Sequence, residues 1–355
     1  IWGVPSFINI FNHREYKLNK KKINYLYIWG ENINLAVLLR CFCKFKFTLT
    51  DYTKYYIEYV KPDVIISFLD NYKTIYQIKK KDYKIFLIQN AWRSDESNFF
   101  KNNQSPKAGS IDYLFVQNKN IVKKYKSICK AKFSIIGSFL SNNVPKKKVK
   151  KKYDIVYIST FRHINNFKIN GNITFEDYLK AESNLVKKIS LYCLKKNKRL
   201  YILPTRKEHQ KQELSFFKEC LRDTKNWKMI KRISSNYDFP YTIVDKADIV
   251  MGIDSTLLYE AFGRGVKTIF FDVRPKNKFL SNNRHFAWPK KLMLSGPFWE
   301  GSDNYESIFK TINRVEDFSP SKWDKIVKKY KNDLMLYDKN NKSFKKILNK
   351  HLKRK

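Results

Sequence analysis

The residue types best suited to chemistry in this sequence stand together in one short run, Asp254, Ser255 and Thr256, with Glu260 one helical turn further on. An apolar, strand-like run at 248–252 precedes them. Helix 255–262 follows, with Leu257, Leu258, Ala261 and Phe262 recurring on one face. Gly263 and Gly265 stop that helix, and 266–271 supplies a second strand. A strand-helix-strand unit of this length demands a right-handed crossover, hence a parallel sheet. The helix start carries unpaired N–H groups, and two hydroxyls beside them make it a site for phosphate. A phosphate held at Ser255 and Thr256 leaves Glu260 within reach of an attached ribose. The competing reading makes Asp254 or Ser255 an ordinary helix cap and Glu260 a solvated side chain.

The elements that position this run can be read on either side of it. Strand 154–159 ends in Thr160, Arg162 and His163, and the long amphipathic helix 175–196 follows. Strand 200–203 ends in Pro204, Thr205, Arg206 and His209, and helix 210–222, strand 227–231 and helix 237–245 lead back to the central unit. Thr160, Arg162, Thr205, Arg206, Asp254, Ser255, Thr256 and Glu260 thus fall at the carboxyl ends of strands in one sheet. Open α/β sheets bind ligands there.

An earlier alternating set has about five parallel strands, at 23–29, 63–69, 83–89, 113–117 and 133–136. Helices are expected at 34–43, with Leu35, Leu38, Leu39 and Phe42 on one side, and at 72–80. The fold class expected is therefore α/β, with two doubly wound Rossmann-like domains. The first domain's strand ends offer Asp70, Asn71, Gln89, Asn90 and Arg93, with Gln117, Asn118 and Ser138 beyond them. Each is also a common turn former. The expected boundaries are 1–145, a lysine-rich linker at 146–152, 153–319, and a closing helical tail at 320–355 that crosses back to the first domain.

Composition narrows the classes. Hydrophobic residues make up 43% of the 355 and aromatics 16%, which excludes a disordered chain. No apolar run approaches the length needed to cross a bilayer, and no signal-like segment opens the sequence, so a cytoplasmic protein is expected. The five cysteines lack paired spacing, and the five histidines form no ligand cluster. Neither a disulfide framework nor a protein-bound metal is expected. The net charge of +40 comes from lysines spread along the whole chain. A diffuse coat of this kind suits an anionic membrane surface better than a specific nucleic-acid site, which would be clustered and arginine-rich.

Two doubly wound domains with a linker and a closing helix make the plan of a GT-B glycosyltransferase. The chain resembles bacterial surface-carbohydrate biosynthesis proteins related to capsule and lipopolysaccharide Kdo transferases. The resemblance rests on Trp29-Gly-Glu-Asn-Ile-Asn-Leu, Lys61-Pro-Asp-Val-Ile-Ile with Asp70-Asn71, Ile88-Gln-Asn-Ala-Trp-Arg93, Ile136-Gly-Ser-Phe139 and Asp254-Ser-Thr-Leu-Leu-Tyr-Glu260. It implies transfer of a sugar from a nucleotide-sugar donor to a glycan or lipid-linked glycan acceptor. The second domain would hold the donor, with the acceptor on the first beside Asn71, Gln89, Asn90 and Arg93. Related CMP-sugar enzymes pair a Ser-Ser or Ser-Thr with a His-Pro. Ser255-Thr256 fits the former, but Pro204 and His209 stand in the opposite order, so the base stays open.

Glycosyl transfer builds negative charge on the departing phosphate, which calls for cations or helix N–H donors there and a carboxylate opposite. The expected assignment gives the leaving group to the Ser255 and Thr256 helix start with Arg206 and Arg162, and ribose to Glu260. Asp70, or failing it Asp95, is the acid across the cleft. No tightly bound cofactor is expected, the nucleotide sugar being a substrate, and attachment is peripheral, on the inner membrane face. Two rival readings are a CDP-alditol phosphotransferase of teichoic-acid type and a polyanion-binding protein without catalysis.

Overall fold

The computed structural model describes residues 1–3, 22–27, 33–78, 82–93, 110–146, 149–162, 175–233, 236–273 and 295–352. It divides into two units, each an α/β layer structure around a parallel sheet.

The first unit comprises residues 1–91, 98–143 and 340–355. Its strands are β1 (Trp2–Gly3), β2 (Leu26–Tyr27), β3 (Val64–Ser67), β4 (Lys84–Ile88), β5 (Ser110–Val116) and β6 (Lys130–Ile135), ordered β2-β1-β3-β4-β5-β6 and all parallel. The inner strands are apolar on both faces, as strands covered by helices on both sides must be: Ile85, Phe86, Leu87, Ile88, Leu114, Phe115 and Val116 are all buried. Helix Lys342–Leu352 closes this unit, with Phe344 edge-to-face against Phe115 and Phe139.

The second unit comprises residues 92–97 and 144–339. Its strands are β7 (Tyr153–Ile158), β8 (Leu200–Leu203), β9 (Trp227–Met229), β10 (Ala247–Gly252), β11 (Lys267–Phe271) and β12 (Trp299–Glu300), ordered β12-β11-β10-β7-β8-β9. The chain runs outward from β7 to β9, then returns to lay β10 on the other side of β7. The β7/β10 pair is therefore the point where strand order reverses, and a crevice opens there at the carboxyl ends. Gly252, the last residue of β10, lets the backbones close up: a Cβ there would stand 3.2 Å from Ile158 O.

Helix Thr256–Gly263 buries Leu258, Tyr259, Glu260, Ala261 and Phe262, so its orientation is fixed all round. Arg264 locks its end. The guanidinium is 1% exposed, donates to both Asp245 carboxylate oxygens (2.9 and 2.5 Å) and to Val144 O (2.9 Å), and lies between the Tyr241 and Tyr337 rings. Gly265 follows at φ +80°, a conformation L side chains avoid, and turns the chain into β11.

The structure adds detail to three expectations. Within the lysine-rich 146–152, Lys146 N donates to Tyr337 OH, and Lys151 Nζ donates to Asp245 O and Ala247 O, which ties both lysines into the second unit. The closing tail is two helices, not one. Helix Pro320–Tyr330 is held in the second unit by Trp323 Nε1 on Gly265 O, and a turn at Lys339–Asn341 precedes helix Lys342–Leu352 of the first. In helix Leu35–Cys43 the buried residues are Val37 and Cys41; Leu35, Leu39 and Phe42 face solvent.

Candidate functional site

At the carboxyl ends of β7, β8 and β10 the second unit opens a cavity of about 540 Å³. It is lined by Ser159, Thr160, Phe161, Arg162, Tyr178, Thr205, Arg206, His209, Asp254, Ser255 and Thr256. A second cavity, of about 260 Å³, shares Ser159, Thr205 and Ser255 with it and adds Arg232, Tyr237 and Glu260. Every nucleotide-side residue expected from the sequence lies on one or the other.

The helix start is arranged for an anion. Ser255 sits at the cap position with extended φ and ψ (−68°, 136°), yet its side chain makes no capping hydrogen bond. Leu258 N–H returns to Ser255 O at 2.9 Å, while the N–H groups of Thr256 and Leu257 are those that helix geometry leaves for a ligand. The Ser255 hydroxyl is therefore not spent on an ordinary cap. Thr256 Oγ1 accepts from Trp92 N at 3.4 Å, and the Trp92 ring stacks on Tyr259 at 4.5 Å, 9° from parallel.

Cations border the cavities on several elements. Arg162 and Arg206 are exposed, and Arg162 lies over the Tyr178 ring at 5.6 Å. Arg232, on the loop after β9, donates from Nη1 to Thr205 O (2.6 Å), and its backbone N–H donates to Gln210 Oε1 (2.9 Å). Its buried Nε has no partner among the described residues, and burial pushes the guanidinium's pKa down. A guanidinium held in this way favours an arriving anion.

Two buried glutamates, not foreseen from the sequence, hold the strand ends in place. Glu182 of helix Phe175–Lys195 accepts from Thr160 N (2.8 Å) and Thr160 Oγ1 (3.2 Å), while Tyr178 OH donates to Thr160 O (2.9 Å). Glu213 of helix Gln210–Cys220 does the same for Thr205, accepting from its N–H at 3.2 and 3.1 Å and from its hydroxyl at 3.1 Å. Thr160 and Thr205 are thereby occupied with shaping the cavity wall. Both glutamates are 0% exposed. Burial pushes the Glu213 carboxyl up to about 7, opposed by hydrogen bonds from Ser159 and Thr205 and reinforced by the nearby Glu182. The available signal was an acid on an apolar stripe: Glu182 shares a face with Tyr178, Leu185 and Ile189, and Glu213 shares one with Phe217.

The strand ends of the first unit are arranged differently. Asp70 is 0% exposed, and its carboxylate accepts from Tyr125 OH (2.5 Å) and Asn90 N (3.1 Å), while its carbonyl accepts from Tyr76 OH (2.6 Å). The expected acid facing a cleft is instead a buried anchor. Gln89 Nε2 donates to Ala91 O and Gln89 Oε1 accepts from Gln117 N, which fixes the loop after β4. Asn118 caps helix Lys119–Lys126. Asn71 is exposed, and Asn90 and Arg93 are half-buried. Asp95 and His163 lie outside the described residues.

Comparison with known proteins gives the family and the fold. The family described as "putative O-antigen biosynthesis protein" matches residues 85–352, and the chain belongs to it. Its fold is the GT-B-like two-domain α/β fold. The UDP-GlcNAc 2-epimerase of Methanocaldococcus jannaschii, solved with UDP-GlcNAc and UDP, is similar at TM-score 0.52 and 15% identity over 98% of both chains. The wall teichoic acid polymerase TagF is similar at TM-score 0.52 and 10% identity, over 99% of this chain and 88% of that one. MnaA of S. aureus, solved with UDP, is similar at TM-score 0.52 and 12% identity, over 99% of this chain and 94% of that one. No curated protein matches. Among the described residues no cluster of His, Cys, Asp or Glu could hold a metal ion, and no helix is long and apolar enough to cross a membrane.

Proposed function

We propose that the protein is a glycosyltransferase of O-antigen or related surface-glycan biosynthesis that takes its sugar from a nucleotide donor bound in the second unit. The observation that supports this most is the uncapped start of helix Thr256–Gly263 opening onto two adjoining cavities, one bordered by Arg162 and Arg206 and the other by Arg232. The donor phosphates sit at the Thr256 and Leu257 N–H groups and the Ser255 hydroxyl. Glu260, on the adjoining cavity, takes the ribose. As the bond to the sugar breaks, charge grows on the leaving phosphate, and donors already oriented toward it stabilise that charge without rearrangement. These groups supply the countercharge from the protein itself.

The buried Asp70 does not serve as the acid of this scheme. It orders the loop after β4 in the unit to which we assign the acceptor. The donor is a substrate, with no tightly bound cofactor.

The test is incubation of the protein with nucleotide sugars, with and without a lipid-linked glycan acceptor, following nucleotide release and the fate of the sugar by NMR. Acceptor-dependent release with the sugar appearing on the glycan is expected. Epimerised or free sugar formed equally well without acceptor would refute transfer. Movement of an alditol phosphate instead of a sugar, or binding of polyanions with no response to nucleotide sugars, would each replace this reading.

A further inference from the structure

Helix Leu35–Cys43 is apolar on two opposite faces. Val37 and Cys41 are buried against the first unit, while Leu35, Leu39 and Phe42, spaced four and three residues apart, line the other face at 67%, 56% and 54% exposure. A surface helix ordinarily turns charged residues to solvent there. The apolar surface continues past the helix end: Phe45 is 83% exposed, Phe47 65% and Leu49 44%. The Phe47 ring packs edge-to-face on Phe42 at 5.4 Å, joining the loop to the helix face in one patch. Phe45 holds φ at +50°, a backbone conformation unusual for a bulky side chain.

The charges within the patch all have one sign. Residues 33–50 contain Arg40, Lys44 and Lys46 and no acid. Lys44 and Lys46 are exposed between the phenylalanines, while Arg40 pairs with Glu58 at 2.8 Å and lies over Tyr55. The nearest acid along the chain, Asp51, accepts from the Thr48 hydroxyl and returns its backbone N–H to the Thr48 Oγ1 at the start of the next helix. A second copy of the chain docking face to face would set these lysines against their own equivalents, on a protein already at +40. An anionic surface with an apolar interior satisfies both halves of the patch, the lysines at its headgroups and the Leu and Phe side chains below them.

We infer that residues 33–49 are a membrane-docking surface that seats the first unit on an anionic lipid bilayer. This rests on the exposed helix face and its lysines and is independent of the chemistry proposed for the second unit.

The test is co-sedimentation of the full chain with vesicles of phosphatidylcholine, alone and mixed with phosphatidylglycerol. Sedimentation velocity without lipid accompanies it. The wild type is expected to partition onto the mixed vesicles and to leave the neutral ones. K44E/K46E should lower the partition coefficient by more than about tenfold, since each lysine lost removes roughly fivefold. F42S/F45S should lower it roughly tenfold or more. K325E/K329E, the same charge change on helix Pro320–Tyr330, should stay close to wild type. The altered side chains are exposed, and an unchanged circular-dichroism melt verifies the fold. An equal loss in K325E/K329E would mean diffuse charge and overturn the assignment. Absence of binding to mixed vesicles, or a wild-type dimer that F42S/F45S dissolves, would also overturn it.

Discussion

The two sheets present polar residues at the same place, their carboxyl ends, and use them in different ways. In the first unit Asp70, Gln89 and Asn118 turn on their neighbours, Asp70 taking Tyr125 and Asn90, Gln89 taking Gln117 N and Ala91, and Asn118 capping its own helix, while the buried Gln117 side-chain amide has no partner among the described residues. In the second unit the bonding lies behind the surface. Glu182 and Glu213 occupy Thr160 and Thr205 from below, leaving Ser255, Arg162 and Arg206 on the cavity and Arg232 with a buried Nε that has no partner among the described residues. A polar strand end is thus evidence of a ligand site only after its hydrogen bonds have been accounted for. The side chains that shape a site are often not those that touch the ligand.

The contrast can be broken from either side. The largest effect is expected at Asp70. Removing its carboxylate in Asp70→Ala strands the Tyr125 hydroxyl and the Asn90 N–H, so chemical denaturation should show a loss of roughly 3 kcal/mol or more. Nucleotide affinity of the protein that remains folded should not change.

Glu213 comes next. Its folded pKa of about 7 lies above the ordinary carboxylate value of 4.5, so the folded state holds a proton that the unfolded chain releases. The associated stability is complete below pH ~4.5 and is lost as pH rises through about 7. Glu213→Gln should flatten that pH dependence and stabilise the protein by about 3 kcal/mol at pH 8, with little change at pH 4. Unfolding measured against urea across this range is the check.

Arg206→Ala is expected to weaken nucleotide binding about tenfold by calorimetry and to leave the melting temperature alone, because the side chain is exposed and, in the proposed site, faces the donor phosphates. The smallest effect is assigned to Tyr125→Phe, which removes one hydrogen bond to the buried Asp70 and should cost about 1–2 kcal/mol of stability with no effect on the second unit's site.

Much of the architecture was legible because inner parallel strands are nearly continuous apolar runs. β8 falls at 200–203 as read, and β4, β7 and β10 fall within a residue of the expected positions. The two-residue edge strands β1 and β12 carry too little pattern to be seen, and they exist through pairing with a neighbour. Helix Leu35–Cys43 lies where expected, with Leu35, Leu39 and Phe42 on one side, but a helix apolar on two faces gives no sign of which side the core takes. At the candidate site, the cavity-lining residues could be read because they stand at strand ends. Glu182 and Glu213 could not, because an acid within an amphipathic helix reads as a solvated residue until its partner, remote in sequence, is known. Asp70 misled for the same reason, the Tyr125 hydroxyl that occupies it lying on another element.

The central claim, that the nucleotide binds on the second unit at the start of helix Thr256–Gly263, is tested most directly by one calorimetric titration series. CMP, CDP, UDP and GDP would be titrated into the wild type, Glu260→Ala and Asp70→Asn. One nucleotide is expected to bind the wild type and Asp70→Asn alike, and Glu260→Ala to lose most of that affinity. Binding that survives in Glu260→Ala and disappears in Asp70→Asn would contradict it and move the site to the first unit.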